Sequence, residues 1–185
     1  MTPSRRSVSI GLAIVVALGA TTITWAAATK KDIDSKVDAA LARFYKEVPR
    51  GSELTGSAKG VLVFPNVVKA GFGIGGEYGT GALRVSGKTN GYYSTTAASV
   101  GLQIGAESKS IVLCFMTDEA LASFVASKSF EIGVDGSVAM INAGAGGAID
   151  TTTAKAPVLG FVFGRAGLMA NISLEGAKIS TIDPE

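Results

Sequence analysis

The chain has 185 residues, among them 24 glycines, one cysteine and no histidine, with a formal net charge of +2. That length holds one domain with a real core. The absence of histidine excludes a Ser-His-Asp or Cys-His nucleophile and any histidine metal site, and a lone Cys114 excludes an intramolecular disulfide.

Residues 1–28 read as an export leader. Arg5 and Arg6 give a charged start, 10–20 is an uncharged apolar run, and Trp25-Ala26-Ala27-Ala28 supplies a small-residue end. Cleavage is expected near Ala27 or Ala28, leaving 29–185 as a single domain. Ser4-Arg5-Arg6 resembles a twin-arginine signal, and Ser7-Val8-Ser9 continues it loosely, so the Sec and twin-arginine routes both stay open. The alternative is an uncleaved anchor, because 10–28 is just long enough to span a bilayer. No cysteine stands at the cleavage site to take a lipid. Without the leader, which carries two arginines and no acidic residue, the net charge is zero. A neutral chain has no general attraction for nucleic acid or anionic membrane, so any such binding needs a local cluster.

Residues 30–48 predict an amphipathic helix. Ile33, Val37, Leu41, Phe44 and Val48 keep to one stripe, and Pro49 and Gly51 end it. The other face carries Lys31, Asp34, Lys36, Asp38, Arg43, Lys46 and Glu47. Such a helix either lies on a sheet with a solvated outer face or lies on a membrane surface.

Next comes 58–79, AKGVLVFPNVVKAGFGIGGEYG. It reads as an apolar strand, a proline turn and a second strand in which Gly71, Gly73 and Gly75 alternate with Phe72 and Ile74. Successive strand residues point to opposite faces, so one face is bare backbone. That predicts close approach of another element, or sharp curvature. From Val61 on the pattern has period two, with strands expected at 60–64, 69–78, 81–87, 91–95, 98–106, 110–116, 131–141, 157–164 and 167–178. Asn90-Gly91 predicts a hairpin turn. Thr117 predicts an N-cap for a helix over 118–128, with Asp118 and Glu119 in its first turn. Cys114 sits in an apolar run and reads as a buried small hydrophobe rather than a reactive thiol, since no base flanks it. Residues 142–156 read as a turn-rich connection. The fold expected is α+β: a curved, mainly antiparallel, glycine-rich sheet of barrel-like curvature, with an N-terminal amphipathic helix and one further helix.

Residues 58–79, then Gly91-Tyr92-Tyr93-Ser94 and Ser99-Val100-Gly101-Leu102-Gln103, resemble the SYLF domain family. So do Lys109-Ser110-Ile111, Phe115-Met116-Thr117, Gly133-Val134-Asp135, PVLGFVFG at 157–164, Gly167-Leu168-Met169-Ala170-Asn171 and Ser173-Leu174-Glu175-Gly176. The family includes eukaryotic actin-patch regulators and many exported bacterial proteins. The resemblance implies binding of anionic phospholipids and phosphoinositides, with an amphipathic N-terminal helix and basic residues implicated in eukaryotic members; the phosphoinositide part is not carried over to an exported bacterial chain. An exported chain does not meet actin, so that property is not carried over.

The expected head-group contacts are Lys31, Lys36, Arg43, Lys46, Lys69, Arg84, Lys109 and Arg165, with Phe44 as an apolar contributor. Gly71-Phe72-Gly73-Ile74-Gly75-Gly76 matches the dinucleotide fingerprint, but strand continues where that motif needs a helix, so no nucleotide or other cofactor is expected. Catalysis by paired carboxylates stays open, with Glu77, Glu107, Glu131, Asp135 and Glu175 as candidates, but no spacing singles out an acid and a base. The expected function is non-enzymatic binding of phospholipid at the bacterial cell envelope, in the periplasm after export, with no metal and no nucleic acid. A protein-interaction or structural envelope component is the alternative, and an unrecognised hydrolase comes third.

Overall fold

The computed structural model describes residues 28–101, 107–141, 155–164, 167–168 and 173–185. The expected leader, Arg165 and nearly all of the 142–156 connection lie outside them. Helix α1 (Lys30–Glu47) is capped by Thr29, whose hydroxyl oxygen accepts the Asp32 N–H at 3.2 Å. As expected, Ile33, Val37, Phe44 and Val48 are buried. The chain does not leave helix at Pro49 for good. Arg50 takes a left-handed φ of 60° and starts a second helix, α2 (Gly51–Ser57), which the sequence pattern did not announce.

The central element is β1 (Gly60–Val85), where three separate strands were expected. Pro65 makes no turn. It sits in a register shift between Phe64 and Val67, a bulge where the missing N–H breaks no ladder bond, and its carbonyl accepts the Ser110 hydroxyl at 2.7 Å. One arm of β1 pairs with β3 (Glu107–Phe115), from Gly60↔Phe115 to Lys69↔Glu107. The other pairs with β2 (Lys88–Gly101), from Gly73↔Gly101 to Val85↔Lys88.

The two arms of β1 fold toward each other. A Cβ on Gly79 would stand 2.8 Å from Val67 Cγ2 and 2.9 Å from the Asn66 carbonyl oxygen, and one on Gly81 would run into the Val63 carbonyl oxygen and Phe64 Cδ1. These glycines share the strand face of Gly71, Gly73 and Gly75. Close approach is therefore seen at Gly79 and Gly81, while the surroundings of Gly71, Gly73 and Gly75, for which it was expected, lie outside what the structure describes.

The hairpin turn is at Ser86-Gly87, with φ of 50° and 76°, not at Asn90-Gly91. Asn90 is the extra residue of a second bulge, skipped between the pairs Arg84↔Thr89 and Leu83↔Gly91. Helix α3 (Asp118–Ala126) is capped by Thr117 as expected. The expected strand at 131–141 reduces to β4 (Ser129–Glu131), a turn in which Gly133 has φ 93°, and β5 (Ala139–Met140). Then come β6 (Val158–Gly164), β7 (Gly167–Leu168) and β8 (Lys178–Ile182). β8 begins where the last expected strand was to end, after a turn at Gly176.

The sheet order is β4-β8-β2-β1-β3-β6-β5, with β7 on β6, and among the described strand pairs β5–β6 is parallel and the rest antiparallel. The protein is a mixed α+β fold with a curled eight-stranded half-barrel. Strands at its middle are buried on both faces. Leu62, Phe64, Leu113 and Phe115 enter the core that contains Phe124 of α3. Val61, Val63, Val112 and Cys114 point the other way, into the core under α1 with Phe161 and Phe163. The start of α1 meets the segment after β8: the Lys30 N–H donates to the Glu185 carbonyl oxygen at 3.0 Å, and Lys30 Nζ lies 3.0 Å from Asp183.

Candidate functional site

Helix α1 lies on the sheet with its apolar stripe inward. The Phe44 ring packs edge-on to Phe161 at 5.0 Å between centroids, and is fully buried. Its surroundings are protein, not the outer surface.

The acidic flank of α1 is committed to the sheet. Asp34 accepts the Tyr92 hydroxyl at 2.9 Å and the Thr89 hydroxyl at 2.8 Å. Arg84 of β1 lies 3.3 Å from Asp34 and 2.7 Å from Asp38, and also donates to Thr89. Partial burial, the bond to Asp34 and that carboxylate's charge push the Tyr92 phenol above its usual value. Arg84 is thus only 14% exposed and holds the helix to the sheet.

The remaining expected contacts divide in the same manner. Arg43 pairs with Glu47 at 2.6 Å and sits 5.0 Å over the Phe163 ring. Lys109 pairs at 2.7 Å with Glu77, both side chains being under 15% exposed. Lys69 is half-buried on β1. Lys31, Lys36 and Lys46 are exposed, and among the described residues no carboxylate pairs with them. At about 100° per residue, Lys31, Lys46, Arg43 and Lys36 fall within roughly 140° of helix circumference. Asp32 shares that arc and accepts the Thr29 hydroxyl. Asp32 apart, the mixed charge of the helix sequence is sorted in space: Asp34 and Asp38 toward Arg84, Glu47 toward Arg43, and Lys31, Lys36 and Lys46 toward solvent.

Among the described residues the candidate carboxylates lie apart or in structural roles. Glu77 and Glu175 border one cavity of about 70 Å³, which is room for a water or two. Asp135 accepts the Glu131 N–H at 2.7 Å and closes the turn between them. The Glu107 side chain lies outside the described residues. Among those residues no three of His, Cys, Asp and Glu gather to hold a metal, and no helix is long and apolar enough to cross a membrane. Burial pushes the Cys114 thiol up to about 12, so it stays neutral and unreactive in the folded chain.

Two open grooves flank α1. The larger, about 810 Å³, lies between α1, α2, the Ser86-Gly87 turn and α3. Its charges cancel locally, Arg84 against Asp38 at 2.7 Å and Lys59 against Asp118 at 3.1 Å. The smaller, about 360 Å³, runs between α1 and the β1 bulge. Sequence reasoning missed Asn66 in that groove and the Asp34–Thr89–Tyr92 network. Neither carries a periodic signal, because their partners lie more than one element away.

No curated protein matches the chain. Residues 96–185 match the family described as Ysc84, Las17-binding protein actin regulator. The matched stretch runs from the middle of β2 through β8. It omits α1 and β1, although β1 is what joins β2 to β3 in the sheet. This match over residues 96–185 agrees with the SYLF domain family that the chain's sequence motifs resemble.

Proposed function

We propose that this is a non-enzymatic protein of the bacterial cell envelope that binds anionic phospholipid surfaces peripherally, through the outer face of α1. The observation that carries the reading is the sorting of charge on that helix. Lys31, Lys36 and Lys46 stand exposed, while Asp34, Asp38 and Glu47 are held by Arg84 and Arg43, and Asp32 on the same arc is bonded to Thr29 at the helix cap. The chain's resemblance to the SYLF family, which is associated with lipid binding, supports it.

Magnitudes favour surface contact over insertion. Three head-group contacts contribute about 1 kcal/mol each. Lifting the stripe from the sheet would uncover the partners of Ile33, Val37, Phe44 and Val48, each burial being worth about 1.5–3 kcal/mol. The contact is therefore electrostatic and salt-sensitive, with screening over about 8–10 Å at physiological ionic strength.

The test is cosedimentation with liposomes of varied head group. Replacing Lys31, Lys36 and Lys46 together with Gln is expected to weaken binding to anionic liposomes about a hundredfold and to flatten its salt dependence, with the melting temperature unchanged. Arg43 is left in place because its pairing with Glu47 and Phe163 is structural. Equal binding by parent and variant at low salt would reject this surface and favour the protein-interaction alternative.

Export is part of the proposal. The cap of α1 by Thr29 and the bond from the Lys30 N–H to Glu185 support a domain start near residue 29. Mass spectrometry of the protein from its native envelope should find a mature N-terminus near Thr29. Recovery of Met1 on a membrane-bound form would instead establish an anchor.

A further inference from the structure

We propose that the larger groove, between α1, α2, the Ser86-Gly87 turn and α3, binds a neutral oligosaccharide. The inference is independent of the lipid reading above and uses none of Lys31, Lys36 and Lys46. At about 810 Å³ the groove falls within the range of about 300–1,000 Å³ that small-molecule sites occupy. A Cβ on Gly56 or Gly87, which border it, would meet nothing within 4 Å, so the backbone there is open to a ligand.

One part of the lining is apolar. Leu41, Val61, Val85 and Leu121 come to it from α1, the two ends of β1 and α3. Beside them stands Tyr45, a large apolar side chain left 44% exposed. Its hydroxyl lies 3.3 Å from that of Thr55, which holds the ring across the corner between α1 and α2. A fixed aromatic ring next to aliphatic groups is a platform for the C–H face of a sugar ring.

The other part is polar and electrically balanced. Asp38 Oδ1 meets Arg84 at 2.7 Å, and Asp118 Oδ2 meets Lys59 at 3.1 Å. Among the described residues the second oxygen of each carboxylate has no partner. The Lys59 ammonium has three hydrogens, and Asp118 takes one. Open acceptors and donors thus stand side by side, with the Ser52 and Ser86 hydroxyls able to act as either.

This balance selects the ligand. An anion would face Asp38 and Asp118, and a cation would face Arg84 and Lys59, so net charge is disfavoured in both signs. A wholly apolar ligand would strip water from the free carboxylate oxygens and give nothing back. A pyranose ring avoids all three penalties. It is uncharged, it has an apolar face, and each of its hydroxyls donates and accepts at once.

The test is an amide NMR titration of the purified protein with cellotriose, maltotriose and chitotriose. At least one is expected to bind with a Kd below about 1 mM, to move the Gly56 and Gly87 signals, and to bind equally in low and high salt. Tyr45→Ala should weaken that binding about tenfold, and Tyr45→Phe should restore it. Asp118→Asn, which keeps the shape of an exposed side chain and removes its charge, should weaken it about tenfold as well. Tyr78→Ala, at an exposed tyrosine outside the groove, should bind as the parent does. Failure of all three sugars to bind at about 10 mM, or binding that survives both Tyr45→Ala and Asp118→Asn, overturns the site. Movement of the same signals by trialanine and by no sugar would assign the groove to peptide and overturn the ligand class. Phosphatidylcholine vesicles carrying monoglucosyl diacylglycerol separate a free glycan from a glycolipid head group. Capture by those vesicles with no soluble sugar bound would overturn the oligosaccharide.

Discussion

Gly81→Val is expected to abolish folding or to remove at least about 3 kcal/mol of stability, read as a fall in melting temperature. At this position β1 crosses its own first arm, and any side chain meets the Val63 backbone, which cannot rotate away as a flexible side chain could. The neighbouring glycines grade the effect. Gly79→Ala meets Val67 Cγ2 and the Asn66 carbonyl, both under 3.0 Å, and should destabilise less because Val67 can shift in part. Gly76→Ala meets only the Ala97 carbonyl at 3.8 Å and should melt near the parent. A Gly81→Val protein melting within a degree of the parent would mean that the arms of β1 do not touch.

Phe44→Ala should cost about 3–5 kcal/mol. The ring is fully buried among Phe161, Phe163 and the sheet beneath them, so its loss leaves a cavity no neighbour can fill without moving a strand. Vesicle binding per folded molecule should be unchanged, since the ring faces protein. The opposite pattern, binding lost with the melting temperature retained, would establish that α1 leaves the sheet and inserts.

Much of this architecture was legible as periodicity. The stripe from Ile33 to Val48 and the cap at Thr117 report local geometry, and local geometry is what a linear pattern encodes. The core strands at 60–64, 110–116 and 157–164 were legible for the same reason. The misreadings share one cause, tertiary pairing that overrides a local signal. Pro65 reads as a turn, yet β3 continues past it and turns it into a bulge. Asn90-Gly91 is a strong turn dipeptide, yet Ser86 and Gly87 accept positive φ and set the hairpin one bulge earlier. β8 is short, mixed in polarity and recruited by pairing with β2 and β4, which no pattern within its own residues reveals. At the site, the basic residues could be enumerated from sequence, but not sorted. Arg84 and Lys109 look like Lys36 and Lys46 on paper. Only the fold shows that the first two are spent on Asp34, Asp38 and Glu77.

The bond between Lys30 and Glu185 places the start of α1 and the end of the chain at one point of the surface. Whatever precedes residue 28 therefore emerges beside Lys31, at the edge of the basic face. A retained leader would act as a short tether. It would turn the encounter of α1 with the bilayer into an intramolecular event, at an effective concentration set by a linker of almost no length. Contacts too weak to hold a free molecule would then be occupied nearly always. A cleaved chain carrying the same lysines would sample the surface and depart with the salt. The two fates of the leader thus differ in avidity and residence time rather than in chemistry.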